Sequence, residues 1–113
     1  MSRTVRVLWT EAVSGWFNFD WPGVIDGTSV VHISACEWDP TFPPGDISHD
    51  VDFANKIGAL RWRGDANIYV KNVHPHDSGG GGVEFVLQVD WDTPLRVCTD
   101  ITVLDPAETA QIS

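Results

Sequence analysis

The chain has 113 residues, enough for one domain that buries about two-thirds of its unfolded surface. It carries 16 acidic residues against 7 basic ones, a net charge of −9. That balance excludes a phosphate-neutralising nucleic-acid binder, which needs clustered Lys and Arg, and it disfavours anionic membranes.

No apolar run approaches the ~20 residues that a spanning helix needs, so no membrane insertion is expected. Met1 to Arg6 lead into no signal-peptide core, which suggests a cytoplasmic chain or one released without a cleaved leader. The two cysteines, Cys36 and Cys98, make neither a disulfide framework nor a zinc site. They fall in separate predicted strands that can be neighbours, and without a leader two thiols are expected.

Alternation of apolar and polar residues runs through the chain, with almost no helical period. Val5, Val7 and Trp9 share one face of an opening strand. In the aromatic run from Trp16 to Trp21, Phe17, Phe19 and Trp21 share a face, and Pro22-Gly23 closes it. A strand from Ser29 to Trp38 sets Val31, Ile33 and Ala35 against His32, Ser34 and Cys36. Asp39 to Asp46 is loop, and Ile47 to Lys56 is ambiguous, with room for a helical turn.

Leu60 and Trp62 lead into a strand from Asn67 to Val73, with Ile68 and Val70 facing inward. His74 to Gly82 then reads as a long, flexible hairpin loop. Val83, Phe85, Leu87, Val89 and Trp91 alternate cleanly against Glu84, Val86, Gln88 and Asp90. The last strand, Leu95 to Leu104, sets Leu95, Val97, Ile101 and Val103 against Arg96, Cys98, Asp100 and Thr102. The predicted fold is all-β: an antiparallel β-sandwich of six to seven strands, one domain over 1–106 with a tail over 107–113. Exposed strand edges, and two cysteines on outward faces, suggest that self-association into a homo-oligomer covers part of this surface.

Six tryptophans carry the strongest compositional signal, and three of them adjoin aspartate: Asp20-Trp21, Trp38-Asp39 and Asp90-Trp91-Asp92. The surplus implies a heavily aromatic core or an exposed stacking surface. Sugars are held by stacking on an aromatic ring while carboxylate, amide or arginine groups bind the hydroxyls, a small apolar-plus-polar site. Trp91 with Asp92, at a strand end and turn, has suitable composition, although by alternation Trp91 also continues the core row.

Other chemistries fit less well. The run from Asp46 to Asp52 places oxygen ligands at alternate positions, but an EF-hand loop needs Gly at its sixth place and Glu at its twelfth. Val51 and Ile57 stand there, so the run reads as a solvated acidic loop. His74-Pro75-His76-Asp77 is a poorly preorganised metal site, and no metal or other cofactor is expected. Arg63-Gly64-Asp65 reads as a turn rather than an integrin motif. No nucleophile motif is present, and an enzyme is not expected.

Val30-Val31-His32-Ile33-Ser34 ending at Trp38-Asp39, the strand Asn67 to Val73, the hairpin into Val83-Glu84-Phe85, Trp91-Asp92-Thr93 and the strand Ile101 to Leu104 follow one another in order. Together they resemble the H-type lectins, the six-stranded sandwiches of snail agglutinins and discoidin C-terminal domains. The resemblance covers roughly residues 28–104 and implies a trimer or stacked hexamer with sugar sites near subunit boundaries. The family's sugar-contacting arginine near the start of its middle strand falls at Asp65 here, with Arg63 two residues earlier. Its aromatic contact after the hairpin falls one position from Trp91.

The leading expectation is therefore a non-catalytic, lectin-like carbohydrate-binding module in a homo-oligomer. Its candidate ligand contacts are Trp91, Asp92, Arg63 and Asp65, with His74 and His76 on a rim. The main alternative is a structural or assembly subunit, and a metal-dependent enzyme is third.

Overall fold

The computed structural model describes residues 2–38, 61–62 and 64–113. The acidic run from Asp46 to Asp52, the ambiguous segment from Ile47 to Lys56, and Arg63 lie outside the described residues. The chain is all-β. Its strands are β1 (Arg3–Ala12), β2 (Gly15–Asp20), β3 (Val30–Trp38), the two-residue β4 (Arg61–Trp62), β5 (Asn67–His76), β6 (Gly82–Asp90) and β7 (Leu95–Leu104). One antiparallel sheet has the order β1-β7-β3-β4 and the other β2-β6-β5. Among the described residues no helix is long and apolar enough to cross a membrane. Residues 107–113 are exposed and lack regular structure.

Both sheets turn an apolar row inward. Val5, Val7 and Trp9 lie beside Val97, Ile101 and Val103, and those beside Val31, Ile33 and Ala35. From the other sheet come Val83, Phe85, Leu87 and Val89 of the central strand β6, flanked by Phe17 and Phe19 on one side and Ile68 and Val70 on the other. Val83, Phe85 and Leu87 have no exposed surface at all. Each such side chain stabilises the fold by about 1.5–3 kcal/mol relative to exposure. Trp9 and Phe17 meet edge-to-face across the two sheets, with ring centroids 4.9 Å apart.

The chain crosses between the sheets through residues 21–29. The Trp21 amide donates to the Gly81 carbonyl at 2.9 Å, and the Val24 and Ile25 amides both donate to the Trp21 carbonyl at 3.1 Å. This turn drives Ile25 into the core.

Two sequence expectations need correction. β5 does not stop at Val73: it continues to His76, and only Asp77 to Gly81 form the hairpin tip. Asn72, the one non-glycine among the described residues with positive φ (53°), is the reason. It sits in a break of register between Lys71 and His74, where an extra residue lets Val73 pack inward and returns the chain to the ladder. Asn tolerates this left-handed conformation. Pro75 is accommodated because β5 is an edge strand and can lack a donor there.

Trp91 also departs from its expected place. The β6 ladder ends at Asp90, opposite Asn67, and the following turn carries Trp91 out of the core row to 50% exposure.

Candidate functional site

The outer face of the β2-β6-β5 sheet gathers the most recognition chemistry among the described residues. The alternation that buries Phe17 and Phe19 sends Trp16 and Asn18 outward, and that of β6 sends Glu84, Val86 and Gln88 outward. Tyr69 and Lys71 face the same way from β5. The bulge at Asn72 then matters for function: it brings His74 opposite Glu84 and His76 opposite Gly82, and so onto this outer face. A one-residue slip reverses the face of every later side chain. Without the bulge both imidazoles would turn toward the core.

Register sets the rows across the sheet. Trp16, Val86 and Lys71 form one, and Asn18, Glu84 and His74 the next. Trp16 is 63% exposed and Tyr69 42%. They stand on opposite outer strands, with Val86 and Gln88 between them. The spacing is two strands across and two residues along, about 12 Å by ordinary sheet dimensions.

Polar groups surround the rings and are held by one another. His76 Nε2 lies 2.7 Å from Asn18 Oδ1, bridging β5 to β2 over Gly82. The other Asn18 amide group donates to Asp20 Oδ1 at 2.8 Å. Asn18 Oδ1 can only accept, so His76 Nε2 carries a proton. In the neutral ring Nδ1 then accepts from the Ser78 hydroxyl at 2.9 Å. Gly82 permits the close approach of β2 beneath it, since a Cβ there would lie 2.8 Å from Asp20 Oδ1 and 2.7 Å from the Phe19 carbonyl. His74 Nδ1 meets Glu84 Oε1 at 2.7 Å. At the far end, Asn67 and Gln88 both donate to the Asp90 carboxylate, at 3.1 and 2.8 Å.

The residues singled out from sequence do not converge. His74 and His76 lie at one end of the face. Trp91 and Asp92 lie in the turn beyond Asp90, and Asp65 in the turn before Asn67, at the opposite end. Gly82 and Asp90 are eight residues apart on β6, so the two ends are about 25 Å from one another. Trp16, Asn18 and Tyr69, which lie between them, were not among the candidates. Their signal was present in the alternation: Trp16 and Asn18 are the positions that the inward row Phe17, Phe19 and Trp21 leaves on the other side.

Other concavities are less equipped. A cavity of about 310 Å³ opens between the start of β1, the β2–β3 crossing and the end of β7. Asp26 on its wall is engaged locally, accepting from the Thr28 amide at 2.8 Å and the Thr28 hydroxyl at 2.6 Å. These bonds hold its carboxyl below the usual range. Arg3 lies over the Trp21 ring, 5.3 Å from its centroid. Glu37, on the inward side of β3, has its carboxyl pushed up by burial and then by the charge of Asp65. Among the described residues no group of three or more His, Cys, Asp or Glu is placed to hold a metal ion.

Comparison with known proteins returned no match to any family model, curated protein or solved structure.

Proposed function

We propose that the chain is a non-catalytic carbohydrate-binding module, a β-sandwich of lectin type that works as a homo-oligomer. The observation that carries this reading is the pair of exposed rings, Trp16 and Tyr69, on an open sheet face set with amide, carboxylate and imidazole groups. An exposed ring supplies a stacking platform for the C–H face of a sugar. The flanking groups already hold fixed orientations, which lowers the ordering cost of binding hydroxyls. A single sugar ring cannot stack on two platforms about 12 Å apart, so an oligosaccharide lying across the face is the expected ligand. His74 and His76 would bind at one end of it. Trp91, Asp92 and Asp65 stay with the proposal as a second contact region, and Arg63, outside the described residues, stays as the further candidate that the H-type lectin resemblance favours.

The test is titration of the chain with linear oligosaccharides of increasing length, read by calorimetry and tryptophan fluorescence. Affinity that rises with length and is lost in Trp16→Ala supports the face. Equal affinity for a monosaccharide, unaffected by Trp16→Ala but lost in Trp91→Ala, would move the site to the turn.

A second reading has its own support. Trp16, Val86 and Tyr69 lie between β2 and β5, the edge strands of this sheet among the described residues, and such a surface also suits packing against copies of the chain. This is the assembly-subunit alternative. Light scattering during size exclusion distinguishes the two: a large assembly that Trp16→Ala dissociates, with no response to sugars, would favour it. A trimer or hexamer that keeps its mass in Trp16→Ala would favour the lectin reading.

A further inference from the structure

The outer face of the other sheet holds a different chemistry. Cys36 of β3 and Cys98 of β7 are directly opposite in the antiparallel register, and both are thiols. The Cys98 thiol is hydrogen-bonded to Cys36, and Cys36 also donates to the Glu37 carbonyl at 3.1 Å. Leu8 flanks Cys98 from β1. Trp38 packs on the pair, and its indole N–H reaches across β7 to the Trp9 carbonyl at 3.1 Å. Cys98 is thereby fully buried although it lies on an outward face, while Cys36 stays half-buried. Arg6, clamped on Asp100 one row away, lies within electrostatic reach of both sulfurs.

We propose that Cys36 and Cys98 form a redox-active dithiol, a modification site at which a small disulfide such as oxidised glutathione is exchanged for a cross-strand disulfide. The register supplies the reach. Directly opposed residues in an antiparallel pair have Cα atoms about 4.5–5.5 Å apart, inside the span a disulfide bridges. Their Cβ atoms lie at about 4.5–5.5 Å, while a relaxed disulfide prefers about 3.8 Å. The strands must draw together, so the bond is strained, and strained disulfides are the reducible ones. This makes the pair reversible rather than a permanent staple.

Exposure orders the two steps. Cys36, the more exposed of the two, loses its proton, and its thiolate attacks one sulfur of oxidised glutathione. The S–S bond breaks, one glutathione leaves as a thiolate and takes up the proton, and Cys36 carries a mixed disulfide. The hydrogen bond to Cys36 and then burial push the Cys98 thiol up, so Cys98 reacts second. As Cys98 gives up its proton, the thiolate so formed attacks Cys36 Sγ, the mixed S–S bond breaks, and the second glutathione leaves as a thiolate that takes up the proton. Two protein thiols and one glutathione disulfide give one protein disulfide and two glutathione thiols.

The test equilibrates the full chain in glutathione buffers of rising oxidised fraction, blocks remaining thiols by alkylation and weighs the products. The expected result is a reversible passage from doubly alkylated chain to one lacking two hydrogens, with no glutathione adduct accumulating. Cys98→Ser should trap a stable adduct on Cys36, and Cys36→Ser should lower the rate of modification at least tenfold. If either variant fails to fold, the wild-type titration still decides. Doubly alkylated chain at every ratio overturns the proposal, as does a persistent mixed disulfide in the wild type. A disulfide that excess reduced glutathione cannot open also overturns it.

Discussion

The indole N–H of Trp9 donates to the Thr99 hydroxyl at 3.0 Å, inside the core. Thr99 is the only fully buried polar residue among those described, and it sits in the inward row of β7 between Val97 and Ile101. The pairing is reciprocal in its logic. A half-buried indole packed on the core gains from an acceptor, and the fully buried hydroxyl needs a partner. Trp9 therefore packs its ring against Phe17 of the opposite sheet without leaving a polar atom unsatisfied.

Thr99→Val keeps the shape and removes the acceptor. The variant should lose about 1–3 kcal/mol of stability, the cost of an orphaned buried donor. Thr99→Ser keeps the oxygen and should lose less. Urea denaturation of both variants checks the order, and a Val variant as stable as wild type would show that the bond contributes nothing.

Gly81→Ala should destabilise the chain by more than about 1 kcal/mol, because φ there is 113° and a Cβ would lie 1.9 Å from the Ile25 carbonyl. That contact is with backbone, so no side-chain adjustment relieves it. The Gly81 carbonyl also receives the Trp21 amide. The displacement should therefore reach the β2–β3 crossing and quicken amide hydrogen exchange at Trp21.

Trp16→Ala and Tyr69→Ala should each weaken oligosaccharide binding by about 1–2 kcal/mol, roughly 5- to 30-fold, if the open sheet face is the site. Both rings are exposed, so stability should move by no more than about 0.5 kcal/mol. Calorimetry for binding and urea denaturation for stability separate the two effects.

Two carboxylates give opposite pH dependence. Glu37 has its carboxyl raised in the fold, so the folded chain holds that proton more tightly than the unfolded one. Its contribution is full below the ordinary carboxylate range and is lost as pH rises through the raised value. Glu37→Gln should therefore raise the melting temperature at neutral pH and leave it little changed in acid. Asp26 is lowered, so its contribution is present above the ordinary range and is lost as pH falls through the lowered value. Asp26→Asn should lower the melting temperature at neutral pH, an effect that fades in acid. Melting curves from acid to neutral pH show whether the two variants diverge in this way.

Period-two alternation is a local property, and what it encodes was readable. The inward row of β6, the inward rows of β1, β3 and β7, and the turn at Pro22-Gly23 follow from residue order alone. So does the outward position of Trp16, Asn18 and Tyr69, though not their place on one shared face. That needed the strand order, because β2 and β5 meet only through β6, which comes last of the three in the chain.

Residue order by itself determined the all-β character, the inward rows and most strand positions, since each depends on which side chains a pleat buries. Tertiary structure decided the rest. The bulge at Asn72, which puts His74 and His76 outside, exists only as a mismatch between β5 and β6. The end of the ladder at Asp90 releases Trp91 from the core row that its spacing suggested. Cys36 and Cys98 share an outward face by alternation, but only the β3–β7 register sets them opposite each other, and Trp38 together with Leu8 buries Cys98. In each case the deciding contact joins residues far apart in the chain, where local periodicity carries no information about partner or register.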